Sequence, residues 1–286
     1  VFEEVEGGAP VALARHFCTP LVVRWLFLLK SLGFSDFVVR APKDVAQAVE
    51  GLVGDGRELG VSVSYEGGGL GAPPSDGGEH LLVRADYLVS PEAVRRFLEG
   101  GYSAALHGGR VILQRLGPGG GAEVELDSLV DPRRRPACVE GRDARGARSA
   151  LVRWAQEGIH VTSRINAPLE NLLVRALGDR CWATPNRVTI LVNALAPLAM
   201  WLFLTGHFVC ASALAYALGV LDGVDGKLAR VRGILSKLGH IEHSLDMLYE
   251  QALYASFVLG LALSGAAPLA LPLGIAFLVV DGFVRH

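Results

Sequence analysis

From Val188 onward the chain is built of four apolar runs, and these constrain its fold more than any other feature. Val188 to Thr205 is an 18-residue run broken by Asn193 and Pro197, and Phe208 to Leu221 follows almost at once. Leu235 to Leu263 and Ala267 to Val284 complete the set. Runs of this length can cross a hydrocarbon layer as helices, which satisfy their own backbone hydrogen bonds. Pro268 and Pro272 fall near the start of the fourth run, where a kink is tolerated. The expectation is an all-α polytopic membrane region with four visible helices, opened by a helix that Thr184 caps and Pro185 begins.

The 51% hydrophobic average over 286 residues hides a division near Ala183. Before it, charge and glycine alternate with short apolar segments, as in a soluble α/β protein. Helical spacing runs from Pro20 to Leu32 and from Asp44 to Val53, and Ser90 caps a further helix through Leu98. Phe37 to Val39, Val61 to Tyr65, His80 to Ala85, Val111 to Leu113 and Ala122 to Leu126 read as strands, and Val1-Phe2 as a strand remnant. Gly67 to Gly78 reads as a loop. Such alternation predicts a mainly parallel, Rossmann-like sheet covered by helices. The expected division is a soluble domain at 1–146, an amphipathic arginine-bearing connector at 147–183 and the membrane domain at 184–286. Cys18, Cys138, Cys181 and Cys210 show no metal-ligand spacing and read as free thiols.

Basic residues orient the spans. Lys227, Arg230, Arg232 and Lys237 lie between the second and third runs, Arg285 follows the fourth, and the arginine-rich connector precedes the first. Gly206-His207 and Ser264-Gly265, at the opposite ends, carry neither Lys nor Arg. The charged side is therefore expected to be cytoplasmic, in the plasma membrane of a prokaryote.

Chemistry concentrates on that side. Asp222 and Asp225 share one face of a helix, and Glu242, Asp246 and Glu250 follow at spacings of four on the next. Converging oxygen donors need cations between them, and two Mg²⁺ or Mn²⁺ ions suit an all-oxygen set. Two such ions hold a diphosphate and stabilise its leaving oxygen. Gly223 and Gly226 leave room for a phosphate or nucleotide ring, Arg230 can neutralise a phosphate oxygen, and an acid not taken up by metal can accept a proton. A structural salt-bridge cluster with Lys227, Arg230 and Lys237 is the alternative. A cation path would also cluster acids, but has little use for an arginine beside its ligands. An inactive membrane anchor would not need Asp222, Asp225 and Asp246 together.

Asp222-x-x-Asp225-Gly226-x-x-Ala229-Arg230, then eight residues and Gly239, resembles the signature of the CDP-alcohol phosphotransferase family. Thr184-Pro185-Asn186 resembles the family's opening segment, and the likeness extends from about Asn166 to the end of the chain. It implies a six-helix membrane domain that transfers a phosphoalcohol from a CDP-alcohol donor to an alcohol acceptor, with release of CMP, as in phospholipid or inositol-phosphodiester synthesis. With four spans visible, the sequence reads as part of a longer protein. The resemblance assigns metal to Asp222, Asp225, Glu242 and Asp246, and CDP contacts to Asp222, Gly223, Gly226, Ala229, Arg230 and Gly239. The family places two aspartates four apart after this glycine. Strict spacing lands on His243 and Met247, whereas a one-residue deletion beside Gly239 restores Glu242 and Asp246. Asp246 is then metal ligand or catalytic base, with His243 as the alternative base; Glu250, a turn deeper, is a candidate either to bind the acceptor or to pair with a polar group.

The soluble half is more weakly similar to nucleotidyltransferases. Pro20 to Val39 resembles their first helix and second strand, and Leu81 to Pro91 their strand bearing a metal-binding aspartate, here Asp86. Fusions of such a domain to this membrane domain make CDP-inositol and then an inositol phosphodiester, so a bifunctional enzyme is the alternative. The expected glycine-rich phosphate loop is absent, and Glu3, Glu4 and Glu6 place negative charge where a triphosphate would bind. Either the domain is degenerate, or the loop lies upstream of Val1. Donor, acceptor and membrane lipids are the partners implied; nothing points to nucleic acid, and a homodimer is compatible with this reading.

Overall fold

A computed structural model of the chain describes residues 11–67, 80–117, 121–131, 136–156, 161–233, 239–265 and 267–285, with the side chains of 161–163, 239–246 and 285 outside that description. The readings at Val1-Phe2, at Glu3, Glu4 and Glu6 and over most of the 67–78 loop lie outside the described residues. The chain divides into two compact units. One comprises Val1–Glu157 with Gly178–Arg180 and Arg230–Ile234; the other comprises Gly158–Leu177, Cys181–Ala229 and Leu235–His286.

The first unit is α/β. Its elements run β1 (Arg15–His16), β2 (Thr19–Pro20), α1 (Leu21–Ser31), β3 (Asp36–Ala41), α2 (Lys43–Val53), β4 (Ser62–Gly67), β5 (His80–Val83), β6 (Tyr87–Val89), α3 (Pro91–Glu99), β7 (Ala104–His107), β8 (Arg110–Leu116), β9 (Glu123–Glu125), β10 (Cys138–Glu140) and α4 (Ala144–Trp154). The expected helices α1, α2 and α3 are present, and Ser90 Oγ accepts from the Ala93 amide at 3.2 Å. Burial explains why they form: Leu21, Val49, Val94 and Phe97 are fully enclosed on their inner faces.

A mainly parallel sheet is not what forms. Among the described residues β3–β4 and β7–β9 pair in parallel, while β1–β2, β6–β10, β5–β8 and β7–β8 are antiparallel. The widest sheet has the order β5-β8-β7-β9. The reason lies at Gly108-Gly109. Both have positive φ, 58° and 76°, which is what a two-residue hairpin turn with the twist of its strands requires. That turn folds β8 straight back on β7, so no helical crossover separates them.

Three buried side chains in this unit, Trp25, Arg24 and His16, each bond a backbone carbonyl. Trp25 Nε1 donates to Tyr87 O at 2.8 Å, and Arg24 Nη2 donates to His16 O at 2.5 Å. Burial, with Arg232 beside it, lowers the Arg24 guanidinium to about 9. Burial also lowers the His16 imidazole, whose ring bonds Gly141 O at 2.9 Å. Cys138 and Cys210 are free thiols, but Cys18 and Cys181 are disulfide-bonded, which corrects the reading of four free cysteines. Spacing in sequence does not decide whether a given thiol is oxidised.

The second unit is helical: α5 (Val161–Leu177), α6 (Pro185–Leu204), α7 (Phe208–Arg232), α8 (Gly239–Leu263) and α9 (Ala270–Arg285). The cap at α6 forms as expected, the Arg187 amide donating to Thr184 Oγ1 at 3.4 Å. Val192, Ala196, Ala199 and Phe203 of α6 pack with Ala211 and Leu218 of α7 and Tyr249 and Leu253 of α8. Phe203 and Phe257 meet edge to face, 5.3 Å between centroids. By length and composition α6 and α7 suffice to cross a membrane, and Met247–Leu263 and Ala270–Val284 are shorter apolar stretches. The outer faces of these helices stay apolar, with Ile190, Trp201, Val209, Ile275 and Phe283 all exposed.

Candidate active site

The last turns of α7 carry Asp222 and Asp225, on one continuous helix with the apolar residues before them. Asp222 is partly exposed, whereas Asp225 is 3% exposed. A carboxylate so enclosed needs hydrogen bonds. Thr189 Oγ1, one turn into α6, donates to Asp225 Oδ2 at 2.7 Å. Thr189 also lies 3.2 Å from Pro185 O, which ties its side chain to the capped start of α6.

The reverse face of the same turns meets α5. Lys227 is 2% exposed, and its Nζ lies 2.7 Å from Glu170 Oε2, a residue that is itself 5% exposed. Lys227 Nζ also donates to Asn171 Oδ1 at 3.0 Å. Glu170 reaches further along α7: a Cβ built on Gly223 would lie 2.6 Å from Glu170 Oε1. Higher up, Tyr216 OH donates to Asn166 Oδ1 at 3.1 Å. Helix α5 thus contacts the motif helix through polar groups, while its apolar Ile165, Leu169 and Leu172 point outward.

Asp222, Gly223, Asp225, Gly226, Ala229 and Arg230 all fall within α7. Arg230 is exposed, and its Nε donates to Ala155 O at 2.9 Å. Gly239, Glu242, His243 and Asp246 fall in the first turns of α8, where their side chains are outside the described residues. The choice between Glu242/Asp246 and His243/Met247 therefore stays where the sequence left it. Glu250 lines a cavity of about 710 Å³ together with Ser212, Tyr249, Tyr254, Phe257 and Phe277. Asp86 lies in the other unit, bound by Arg84 through Nη2–Oδ2 at 2.7 Å and Nε–Oδ1 at 3.1 Å.

As a metal site, the described part offers two carboxylates on one helical face. Among the described residues no group of three or more His, Cys, Asp or Glu could hold an ion. The donors present are hard oxygens, one of them oriented by a hydroxyl, which fits Mg²⁺ or Mn²⁺ better than a softer metal.

Sequence reasoning missed Glu170, Asn171 and Thr189. It also missed Asp281, whose Oδ2 accepts from Gln251 Nε2 at 2.5 Å between α9 and α8. Thr189 was the most accessible of these: it follows Thr184-Pro185-Asn186 on a helix that otherwise turns apolar. Glu170 shares a face with Val174, which is fully buried, at a spacing of four.

Residues 182–285 match the family described as CDP-alcohol phosphatidyltransferase. The chain is 33% identical over 100 residues to an inner membrane protein, YnjF, of Escherichia coli, covering 35% of this chain and 48% of that protein. It is 31% identical over 108 residues to an archaetidylinositol phosphate synthase of Pyrococcus horikoshii, covering 37% of this chain and 53% of that protein. The chain thus spans about half the length of these relatives.

Proposed function

We propose that the helical unit belongs to an integral membrane transferase, which moves a phosphoalcohol group from a CDP-alcohol to an alcohol acceptor and releases CMP. One observation carries the reading. Within the family-matched segment, Asp222 and Asp225 share one face of α7, and Asp225 is buried with its carboxylate fixed by Thr189. A buried, oriented acid at the end of an apolar helix is kept for chemistry more readily than for packing.

In this reading the acceptor hydroxyl attacks the phosphorus attached to the donor alcohol. A new P–O bond forms there, the bond to the bridging oxygen breaks, and CMP leaves with that electron pair. Asp246 is the proposed base that takes the hydroxyl proton. Asp222, Asp225, Glu242 and Asp246 would hold one or two Mg²⁺ or Mn²⁺ ions, which supply Lewis-acid stabilisation of charge on the diphosphate. Gly226, Ala229, Arg230 and Gly239 are the proposed neighbours of the CDP moiety.

A membrane setting accounts for the exposed apolar faces of α6, α7 and α9, which in water would be a large aggregation-prone surface. The apolar cavity beside Glu250 suits a lipid-bearing substrate, and hence a role in phospholipid synthesis. Orientation follows from the basic residues at the motif end, with the site on the cytoplasmic side.

The test is release of labelled CMP from a panel of CDP-alcohols and acceptors by the membrane-inserted protein with Mg²⁺. Asp222→Asn and Asp225→Asn should each abolish release while insertion is unchanged. Near wild-type turnover in either variant would remove the two-carboxylate site.

A further inference from the structure

Positions on α7 separate into two faces. At 3.6 residues per turn, Gly223 and Lys227 lie within about 40° of each other. Asp222 and Asp225 lie within about 60° of each other, on roughly the opposite side of the helix. Glu170 engages the first face. One oxygen pairs with Lys227 at 2.7 Å, and the other occupies the space a side chain at Gly223 would need. A single carboxylate therefore spans the helical turn that contains Asp225, from behind. On the front, Thr189 of α6 holds Asp225 itself.

A buried ion pair is a poor device for stability, because desolvating both charges offsets most of their attraction and an apolar pair of similar volume does as well or better. It is a good device for register. Its distance and direction are demanding, and here it is completed by Asn171 Oδ1 on Lys227 and by contact with a backbone that bears no side chain. Sliding α7 by one residue, or rotating it by one position, would separate Lys227 from Glu170 and drive a side chain into the carboxylate.

We propose that Glu170 is a positioning residue for the acidic motif: by gripping Lys227 and seating against Gly223 it sets the rotation of α7, and so where Asp222 and Asp225 point. The inference rests on the function proposed above, since it names what aims that site. It also gives Gly223 a different purpose, to receive Glu170 from behind rather than to leave room for substrate in front.

The two purposes are separated by a double-mutant comparison in the full chain, in detergent or lipid nanodiscs. Gly223→Ala in the wild-type background should lower kcat for CMP release by about 100-fold, the scale of a misplacement near 1 Å. In a Glu170→Ala background the same substitution should add a loss of about twofold or less, because nothing remains for the new methyl to displace. Equal losses in both backgrounds would overturn the proposal and return Gly223 to the substrate side. Where Glu170→Ala does not fold, Glu170→Asp withdraws the carboxylate by one methylene and serves as the second background.

Glu170→Gln supplies the second readout. It keeps shape and weakens the pair, and the Mg²⁺ concentration giving half-maximal rate should rise about tenfold. A lowered melting temperature with that concentration unmoved would mean a merely structural role, and would also overturn the proposal. If wild type releases no CMP from any donor, the proposed function fails by itself. The positioning role is then read from the Mn²⁺ concentration that half-saturates thermal stabilisation. A shift in Gly223→Ala that vanishes in the Glu170→Ala background supports it, and the same shift in both sinks it.

Discussion

Lys227→Met isolates the energetic consequence of burying charge beside the motif. In the native protein Lys227 and Glu170 side chains are 2% and 7% exposed and 2.7 Å apart. Methionine fills nearly the same volume but leaves the Glu170 carboxylate without its cation and Asn171 Oδ1 without its 3.0 Å donor. Breaking one side of a buried pair costs about 3–5 kcal/mol, and the orphaned amide oxygen adds about 1 kcal/mol or more. Removing both charges in Glu170→Gln/Lys227→Met leaves neither member of the pair as an uncompensated charge, so the double variant should lie within about 2 kcal/mol of wild type. Thermal and chemical unfolding in detergent micelles measures the totals. Amide exchange across Val161–Leu177 shows whether α5 is the segment released. A single-variant loss under about 1 kcal/mol would be the value of a solvent-exposed pair and would refute the argument. So would a double variant no more stable than the single.

Thr189→Val keeps shape and removes the hydroxyl that donates to Asp225 at 2.7 Å. A hydrogen bond to a charged group is worth about 1.5–3 kcal/mol, so CMP release should fall by about 10- to 100-fold; an unchanged rate would show that Asp225 needs no orientation. His16 contributes a pH dependence to the stability of the first unit. Burial lowers its folded value below the ordinary 6.5, with the Gly141 bond opposing and Arg24 and Arg148 adding to the shift. The unfolded chain therefore takes up a proton that the fold refuses. Stability is full above pH 6.5 and is lost as pH falls from there toward the folded value. Unfolding midpoints between neutral and mildly acidic pH should show this slope, and His16→Gln should flatten it; equal slopes would refute the assignment. Finally, CTP with a phosphorylated alcohol should yield no pyrophosphate from the full chain, because both Asp86 oxygens are engaged by Arg84. Pyrophosphate release that Asp86→Ala abolishes would overturn this.

What the sequence made legible was local. Ser90-Pro91 and Thr184-Pro185 announce helix starts because a cap and its first turn are adjacent in the chain, and both caps form. Asp222 and Asp225 could be placed on one face because three residues of one helix fix their relation. Pairings between distant segments could not be read this way. Ala104 to His107 is too short to stand out, and becomes a strand only because the Gly108-Gly109 turn lays Arg110–Leu116 against it. Expecting helical crossovers between all strands then made the sheet too parallel. Glu170 is the same failure at the site. In an arginine-bearing amphipathic segment a glutamate looks solvent-facing, and only the fold brings its carboxylate to a lysine 57 residues away. The outward placement of Ile165, Leu169 and Leu172 inverts the usual rule for an amphipathic helix in water. Helical periodicity finds the two faces but not which one is inside.

The burial of Asp225, Lys227 and Glu170 then bears on why the site is built as it is. Three ionisable groups at 5% exposure or less crowd around one turn of α7, each with a stated partner. Stability alone would favour apolar side chains at Glu170 and Lys227, since close packing there carries no desolvation penalty. An apolar pair, however, tolerates small rotations of one helix on another, because dispersion contacts are individually weak and non-directional. The ion pair does not, and neither does the hydroxyl on Asp225. Fixing α7 from both sides with directional bonds restricts the two carboxylates to a narrow range of orientations before any ligand arrives. For carboxylates proposed to gather cations around a diphosphate, that restriction would lower the reorganisation needed at each turnover. The polar seam between α5 and α7 is thus better understood as serving the aim of the site than as contributing to the stability of the fold.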